Sequence, residues 1–180
     1  MSIRMATVQD VPRILEIYGP YVENTAISFE YAVPTLEEFT QRFLGITAQF
    51  PWLVWEENGT ILGYAYGSRP FERAAYQWSA EASIYLCPEA CRKGIGQKLY
   101  TALEQLLQRQ GYRKVYVIIT TANEPSVAFH RAVGYRHTAT MPDCGYKFGK
   151  WFGTVWMEKD LNTWNAPPRE PVPIHQVLER

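Results

Sequence analysis

The order of strand-like and helix-like segments predicts an α/β (α+β) domain, a mixed sheet with helices packed on both faces. Three observations carry this expectation. Apolar residues recur at helical spacing in several separated segments, short apolar and aromatic runs lie between them, and an Asn-Gly pair joins two of those runs into a hairpin. The 180 residues fit one domain and are enough to bury a sizeable core.

Ile3 and Met5, with Thr7, alternate with polar neighbours as a first strand. Thr7-Val8-Gln9-Asp10 resembles a capping box that opens a helix through Ile14, Leu15, Ile17 and Tyr18, with Pro12 in its first turn. After a loop containing Thr25, Ser28, Phe29 and Pro34, Thr35 caps a helix carrying Phe39, Phe43 and Leu44. Trp52 to Trp55 and Ile61 to Tyr66 then flank Asn58-Gly59, a strong hairpin signal because both central residues must accept positive φ. A strand from about Tyr76 to Leu86 leads through a glycine loop into a helix with Ile95, Leu99, Ala102, Leu103 and Leu106 on one face, ended by Gly111. Lys114 to Ile119 reads as a buried strand. A short helix opens near Asn123 or Glu124, with Pro125 in its first turn, and the last strands lie near Tyr135 to Met141 and Thr154 to Glu158. From Asn162 onward Pro167, Pro168, Pro171 and Pro173 exclude regular structure. The division is therefore a domain over 1–161 and a tail over 162–180 that is disordered or lies extended on a neighbour.

Lys plus Arg equal Asp plus Glu at 18 each, so there is no polyanion-binding excess and no case for a nucleic-acid partner. The N-terminus enters its first strand without a charged-then-apolar leader, and no apolar run approaches membrane-spanning length. A cytoplasmic protein with no membrane partner is expected. Cys87, Cys91 and Cys144 form no even disulfide framework, and the four-residue spacing of the first two lacks a matching His/Cys pair, so reduced thiols and no metal are expected. Cys91 reads as a loop cysteine.

The run Cys91-Arg92-Lys93-Gly94-Ile95-Gly96-Gln97-Lys98 stands between an apolar strand and an amphipathic helix. Free N–H groups at a helix start attract anions. Glycines at 94 and 96 lack a Cβ, so phosphates can approach the main chain, while Arg92, Lys93 and Lys98 add positive charge. The spacing is not that of a P-loop, and Leu99 occupies the place of the third glycine of a dinucleotide fingerprint. What remains is an R/Q-x-x-G-x-G/A loop, a pyrophosphate cradle.

With Ala75 to Tyr85, Asn123 to His130 and Gly145 to Trp151, this loop gives the chain a specific resemblance to the GNAT superfamily of acetyl-CoA-dependent N-acetyltransferases. Within it the chain resembles the phosphinothricin N-acetyltransferase group, including enzymes that acetylate methionine sulfone and sulfoximine. The likeness spans about residues 2 to 161. One departure is Cys91, where the superfamily usually has Gln or Arg, with Arg92 one place later. The resemblance implies a twisted, mostly antiparallel mixed sheet, acetyl-CoA as co-substrate, a small amino-acid-like acceptor and a homodimer.

It also implies roles for particular residues. Ile84, Tyr85 and Leu86 would hold the pantetheine by strand-like backbone bonds, the N–H groups from Gly94 through Ile95, Gly96, Gln97 and Lys98 the pyrophosphate, and Asn123 and Ser126 the cofactor arm. Glu81, a carboxylate among Trp78, Ala80 and Ala82, is the general-base candidate, its pKa raised by apolar surroundings. His130, where many relatives have tyrosine, would protonate or hold the departing thiolate as imidazolium. Arg69 or Arg73 would fork the acceptor carboxylate, with Phe29, Phe71, Tyr76, Lys147 and Trp151 around it. The expected reaction is direct acetyl transfer to an α-amine. The alternatives are a peptide N-terminus or polyamine as acceptor, or a non-catalytic acyl-CoA sensor.

Overall fold

The computed structural model describes residues 1–163 and 167–179. Seven strands form one sheet in the order β1-β2-β3-β4-β5-β7-β6: β1 Ser2–Met5, β2 Trp52–Glu57, β3 Thr60–Ser68, β4 Ser79–Leu86, β5 Lys114–Thr120, β6 Arg136–Lys147 and β7 Lys150–Asp160. Every pairing is antiparallel except β4 with β5. Helices α1 (Val11–Asn24), α2 (Leu36–Thr47), α3 (Ile95–Gln110), α4 (Glu124–Ala132) and α5 (Ile174–Leu178) complete the fold. Among the described residues no helix is long and apolar enough to cross a membrane.

Local chemistry accounts for most boundaries. The Asp10 carboxylate accepts the Thr7 N–H at 2.8 Å, and a 3₁₀ turn over Val8–Asp10 runs into α1. Thr35 and Glu38 exchange bonds at the start of α2, the Thr35 hydroxyl accepting the Glu38 N–H at 3.2 Å and the Glu38 carboxylate accepting the Thr35 N–H at 2.8 Å. Asn58 and Gly59 take φ of 51° and 77° in the β2–β3 turn, and Gly111 closes α3 at φ 103°.

The two sheet faces have different coverings. Trp52 pairs with Tyr66 and Tyr64 with Tyr85 on one face, where Trp52 meets Phe39 and Phe43 of α2 at 6.1 and 5.1 Å and Tyr85 meets Tyr18 of α1 at 5.0 Å. On the other face α3 buries Leu99, Leu103 and Leu107. Leu107, not Leu106, continues the buried stripe, and Ala102 is only half-buried.

Several expectations need correction. Residues Ala74–Tyr76 form a 3₁₀ turn, so β4 starts at Ser79 and not near Tyr76. Leu44 lies on the outer side of α2, 46% exposed. Strand β5 buries Val115, Val117 and Ile119 but leaves Ile118 37% exposed, because alternate side chains face opposite sides and one side is open there. Strands β6 and β7 extend to a turn at Phe148 and Gly149, whose φ values are 50° and 76°.

The tail is the largest difference. Residues 164–166 and 180 of the predicted tail lie outside the described residues, but the rest packs on the domain. The Gln110 side chain donates to Gln49 O at 2.6 Å and Val172 O at 2.8 Å, and Gln110 O accepts the Val172 N–H at 2.9 Å. Pro173, in an extended conformation, is the N-cap of α5, whose Ile174 and Val177 are buried. Proline forbids a helix interior but not a helix start, so the prolines delay this helix without excluding it.

Candidate active site

Strands β4 and β5 pair only from Ser79–Lys114 to Glu81–Tyr116. Beyond that point β4 remains bonded to β3 as far as Leu86, and β5 to β7 as far as Thr120. Each strand keeps its outer partner while the two separate, opening a cleft in the middle of the sheet. Its walls are Ala82 to Tyr85 on one side and Val117 to Thr120 on the other, with Ile27, Tyr100, Asn123, Ser126 and His130 completing the lining. Ile84 and Tyr85 line this cleft. The Leu86 carbonyl already accepts the Tyr21 hydroxyl at 2.5 Å, so that oxygen has a protein partner.

The glycine loop lies between β4 and α3. Gly94 has φ 74°, and a Cβ there would meet nothing within 4 Å, so its main chain faces open space. The first backbone bond of α3 runs from Lys98 N–H to Gly94 O at 3.2 Å, which leaves the N–H groups of Ile95, Gly96 and Gln97 at the open end of a 16-residue helix. Such a cradle fits a pyrophosphate. Gly96 differs from the sequence-based reason given for it: it is buried, and an added Cβ would lie 3.3 Å from Phe129 and 3.4 Å from Ile84. Its missing side chain brings α3 close to α4 and β4. Ile95 sends its side chain into the core, and only its N–H belongs to the loop. Arg92, Lys93 and Gln97 are exposed, and the Lys98 ammonium lies 5.2 Å from the centre of the Trp55 ring.

Glu81 sits at the point where pairing ends, opposite Ser68 and beside Tyr116. Burial pushes its carboxyl above the usual range, and it makes no hydrogen bond or ion pair among the described residues. A carboxylate so placed retains a free lone pair for a proton. Asn123 caps α4, its Oδ1 accepting the Ser126 N–H at 3.3 Å, and both residues line the cleft.

His130 also lines the cleft, but not in the expected charge state. Its ring is 2% exposed, and burial lowers its pKa to about 4. Nδ1 lies 2.7 Å from the Ser126 carbonyl oxygen, which can only accept, so Nδ1 carries the hydrogen. Nε2 of the neutral ring therefore accepts the Tyr100 hydroxyl hydrogen at 2.8 Å. This corrects the imidazolium role: near neutral pH the ring has no surplus proton to give.

Of the acceptor-side residues, Phe71 and Tyr76 lie together with ring centres 4.7 Å apart, and Phe71 reaches Tyr116 at 5.7 Å and Trp156 at 6.3 Å. Because Tyr116 is the register neighbour of Glu81, this aromatic group borders Glu81. Arg73 is exposed just before the 3₁₀ turn. Arg69 lines a different cavity with Gln49, Phe50, Gln77, Ser79, Tyr112 and Pro171, so it is not brought to the cleft as expected. Lys147 is a further correction, since all three of its N–H groups are taken by backbone carbonyls of Val22, Thr25 and Ser28. Trp151 is 60% exposed on the β6–β7 hairpin against Tyr146, outside the cleft lining, and Phe29 lies over Gly145. Tyr100, Tyr116 and Trp156 went unnoticed in the sequence. A tyrosine beside an aliphatic helix stripe was the available signal for Tyr100, and nothing local distinguished the other two.

A sheet split between two parallel strands, a helix-start cradle and a half-buried carboxylate at the head of the split define an acyl-transferase architecture. Residues 3–156 match the family model for the acetyltransferase (GNAT) domain, and the chain belongs to that family. It is 33% identical to a phosphinothricin N-acetyltransferase of Streptomyces viridochromogenes, covering 98% of this chain and 96% of that protein. It is 34% identical to an L-methionine sulfoximine/L-methionine sulfone acetyltransferase of Salmonella typhimurium over 93% and 98%. The structure also superposes with a TM-score of 0.89 on a GNAT superfamily phosphinothricin acetyltransferase from Sinorhizobium meliloti in complex with AcCoA, with 37% identity and coverage of 95% and 94%.

Proposed function

We propose that this chain transfers the acetyl group of acetyl-CoA directly to the α-amine of a small amino acid or analogue, of the kind named for its relatives. The carrying observation is Glu81, a half-buried carboxylate with no hydrogen-bond or ion-pair partner among the described residues, where the split in the sheet begins. The thioester supplies an activated acetyl group. The N–H groups of Ile95, Gly96 and Gln97 hold the pyrophosphate, with Arg92 and Lys93 adding charge, and Ile84 and Tyr85 flank the pantetheine. Glu81 takes one proton from the acceptor ammonium, for which its raised pKa suits it. The freed amine attacks the thioester carbonyl, the C–S bond breaks as the C–N bond forms, and the second proton lost from the nitrogen goes to the departing sulfur as the CoA thiol. Phe71, Tyr76, Tyr116 and Trp156 border the amine, and Arg73 is the remaining guanidinium for the carboxylate. His130 serves as the acceptor that orients the Tyr100 hydroxyl.

Residues 1–161 form the catalytic domain in this reading, and the tail braces it. We also read the protein as a cytoplasmic homodimer without a nucleic-acid or membrane partner. Support comes from free Cys87, Cys91 and Cys144, from equal numbers of acidic and basic residues, and from exposed Tyr146, Phe148 and Trp151 on one hairpin. Sedimentation tests the dimer. The activity is tested by thiol release from acetyl-CoA with phosphinothricin, methionine sulfoximine, methionine sulfone, an alanine-terminated peptide and spermidine. The amino acids should give the highest kcat/KM. Preference for peptide or spermidine would overturn the acceptor class, and tight acetyl-CoA binding without any turnover would overturn the enzyme.

A further inference from the structure

We infer that Lys147 is a positioning residue for the acceptor side of the site, pinning strand β6 to the loop between α1 and α2 so that Ile27 and Phe29 of that loop stand in fixed places. The inference rests on reading the cleft as a transferase site. Lys147 is 2% exposed, and its Nζ donates to Val22 O at 2.6 Å, Thr25 O at 2.9 Å and Ser28 O at 2.7 Å. An ammonium has three N–H donors and a neutral amine has two, so three acceptors at these distances select the charged form. The three carbonyls solvate the buried ammonium in place of water. Val22 is in the last turn of α1, where carbonyls lack helical partners and the helix end is electronegative. That turn has no basic residue of its own, and the cation comes instead from a strand far along the chain. Burial lowers the Lys147 pKa from its ordinary value, and the nearby carboxylate of Glu30, which pairs with Arg42 at 2.7 Å, opposes that shift.

The two residues before Lys147 engage the same loop. A Cβ on Gly145 would lie 2.2 Å from the Phe29 ring, so Phe29 rests on the bare main chain. Tyr146 O accepts the Tyr31 hydroxyl at 2.7 Å. Three consecutive residues of β6 therefore clasp one loop. From the loop Ile27 reaches the cleft and lines it directly. Lys147 itself is outside the cleft lining, and the pyrophosphate cradle belongs to other elements.

A pin on the acceptor side should alter acceptor recognition and leave cofactor affinity alone. Lys147→Met keeps an unbranched apolar stem and leaves three buried carbonyls without their charged donor. Acceptor KM should rise roughly ten- to a hundredfold, the range set by losing charged hydrogen bonds. The acetyl-CoA Kd by calorimetry should stay within about twofold, and amide exchange should accelerate across residues 25–31. Gly145→Ala displaces Phe29 with the Lys147 bonds intact, and it should raise acceptor KM in the same direction. It decides the matter if Lys147→Met does not fold. Unchanged acceptor KM in a folded variant overturns the proposal, as does an equal rise in acetyl-CoA Kd. So does a KM rise confined to acceptors with a free carboxylate and absent for their methyl esters, which would make Lys147 a direct substrate ligand. If wild type turns over no acceptor, the functional reading fails separately, and exchange at residues 25–31 still reads the pin.

Discussion

Replacing His130 with glutamine should remove a defined part of the protein's sensitivity to acid. The wild-type ring is buried between Ser126 and Tyr100, and its pKa lies at about 4, against about 6.5 for a free histidine. Between those values the unfolded chain binds a proton that the native state refuses. The contribution of His130 is therefore fully present above pH 6.5 and is lost as pH falls towards about 4. That gap corresponds to roughly 3 kcal/mol, from about 1.4 kcal/mol per pH unit. Asp10, held down to about 2 chiefly by its hydrogen bonds with Arg4, and Glu158, lowered by Lys114 and Arg136, also weaken the fold in acid. Both are present in each protein and cancel in the comparison. Urea unfolding of wild type and His130→Gln at pH 7, 6, 5 and 4 should show the stability difference moving by about that amount in favour of the variant. Parallel curves, or a His130 resonance titrating near pH 6.5 in the folded protein, would refute the reasoning and restore the imidazolium acid.

Glu81→Gln should lower kcat/KM at pH 7 by roughly 10²- to 10⁴-fold, with partial recovery at high pH where solvent supplies free amine; wild-type rates at neutral pH would remove the base assignment. Because burial raises the Glu81 pKa, the wild-type acidic limb of kcat/KM should lie above pH 4.5 and disappear in that variant. Gly96→Asp adds charge beside the cradle and atoms against Phe129 and Ile84, so calorimetry should show acetyl-CoA affinity strongly reduced in a folded protein. In Gly63→Ala the new Cβ would stand 2.3 Å from a Leu86 methyl and 3.0 Å from the Tyr85 carbonyl oxygen. The methyl can turn aside, but the carbonyl belongs to the sheet, so a loss of about 1 to 3 kcal/mol should appear in the urea midpoint.

Features determined by residues close together in the chain were legible in the sequence. The Asn58-Gly59 turn, the Thr35 capping box, the Leu99–Leu103 stripe and the open N–H groups after Gly94 depend on φ preferences, short-range hydrogen bonds and helical periodicity. The three-dimensional packing decided the rest. Lys147 and Val22 are 125 positions apart, and only the approach of β6 to the end of α1 turns an apparent substrate cation into a saturated donor. The direction of Arg69 depended on where β3 ended relative to Tyr112 and Pro171. The neutrality of His130 depended on the layers around α4, because desolvation is a property of everything surrounding a group and leaves no mark in the residues beside it. Prolines in the tail revealed where a helix could not continue, but the buried side chain of Gln110 determined where that tail would lie.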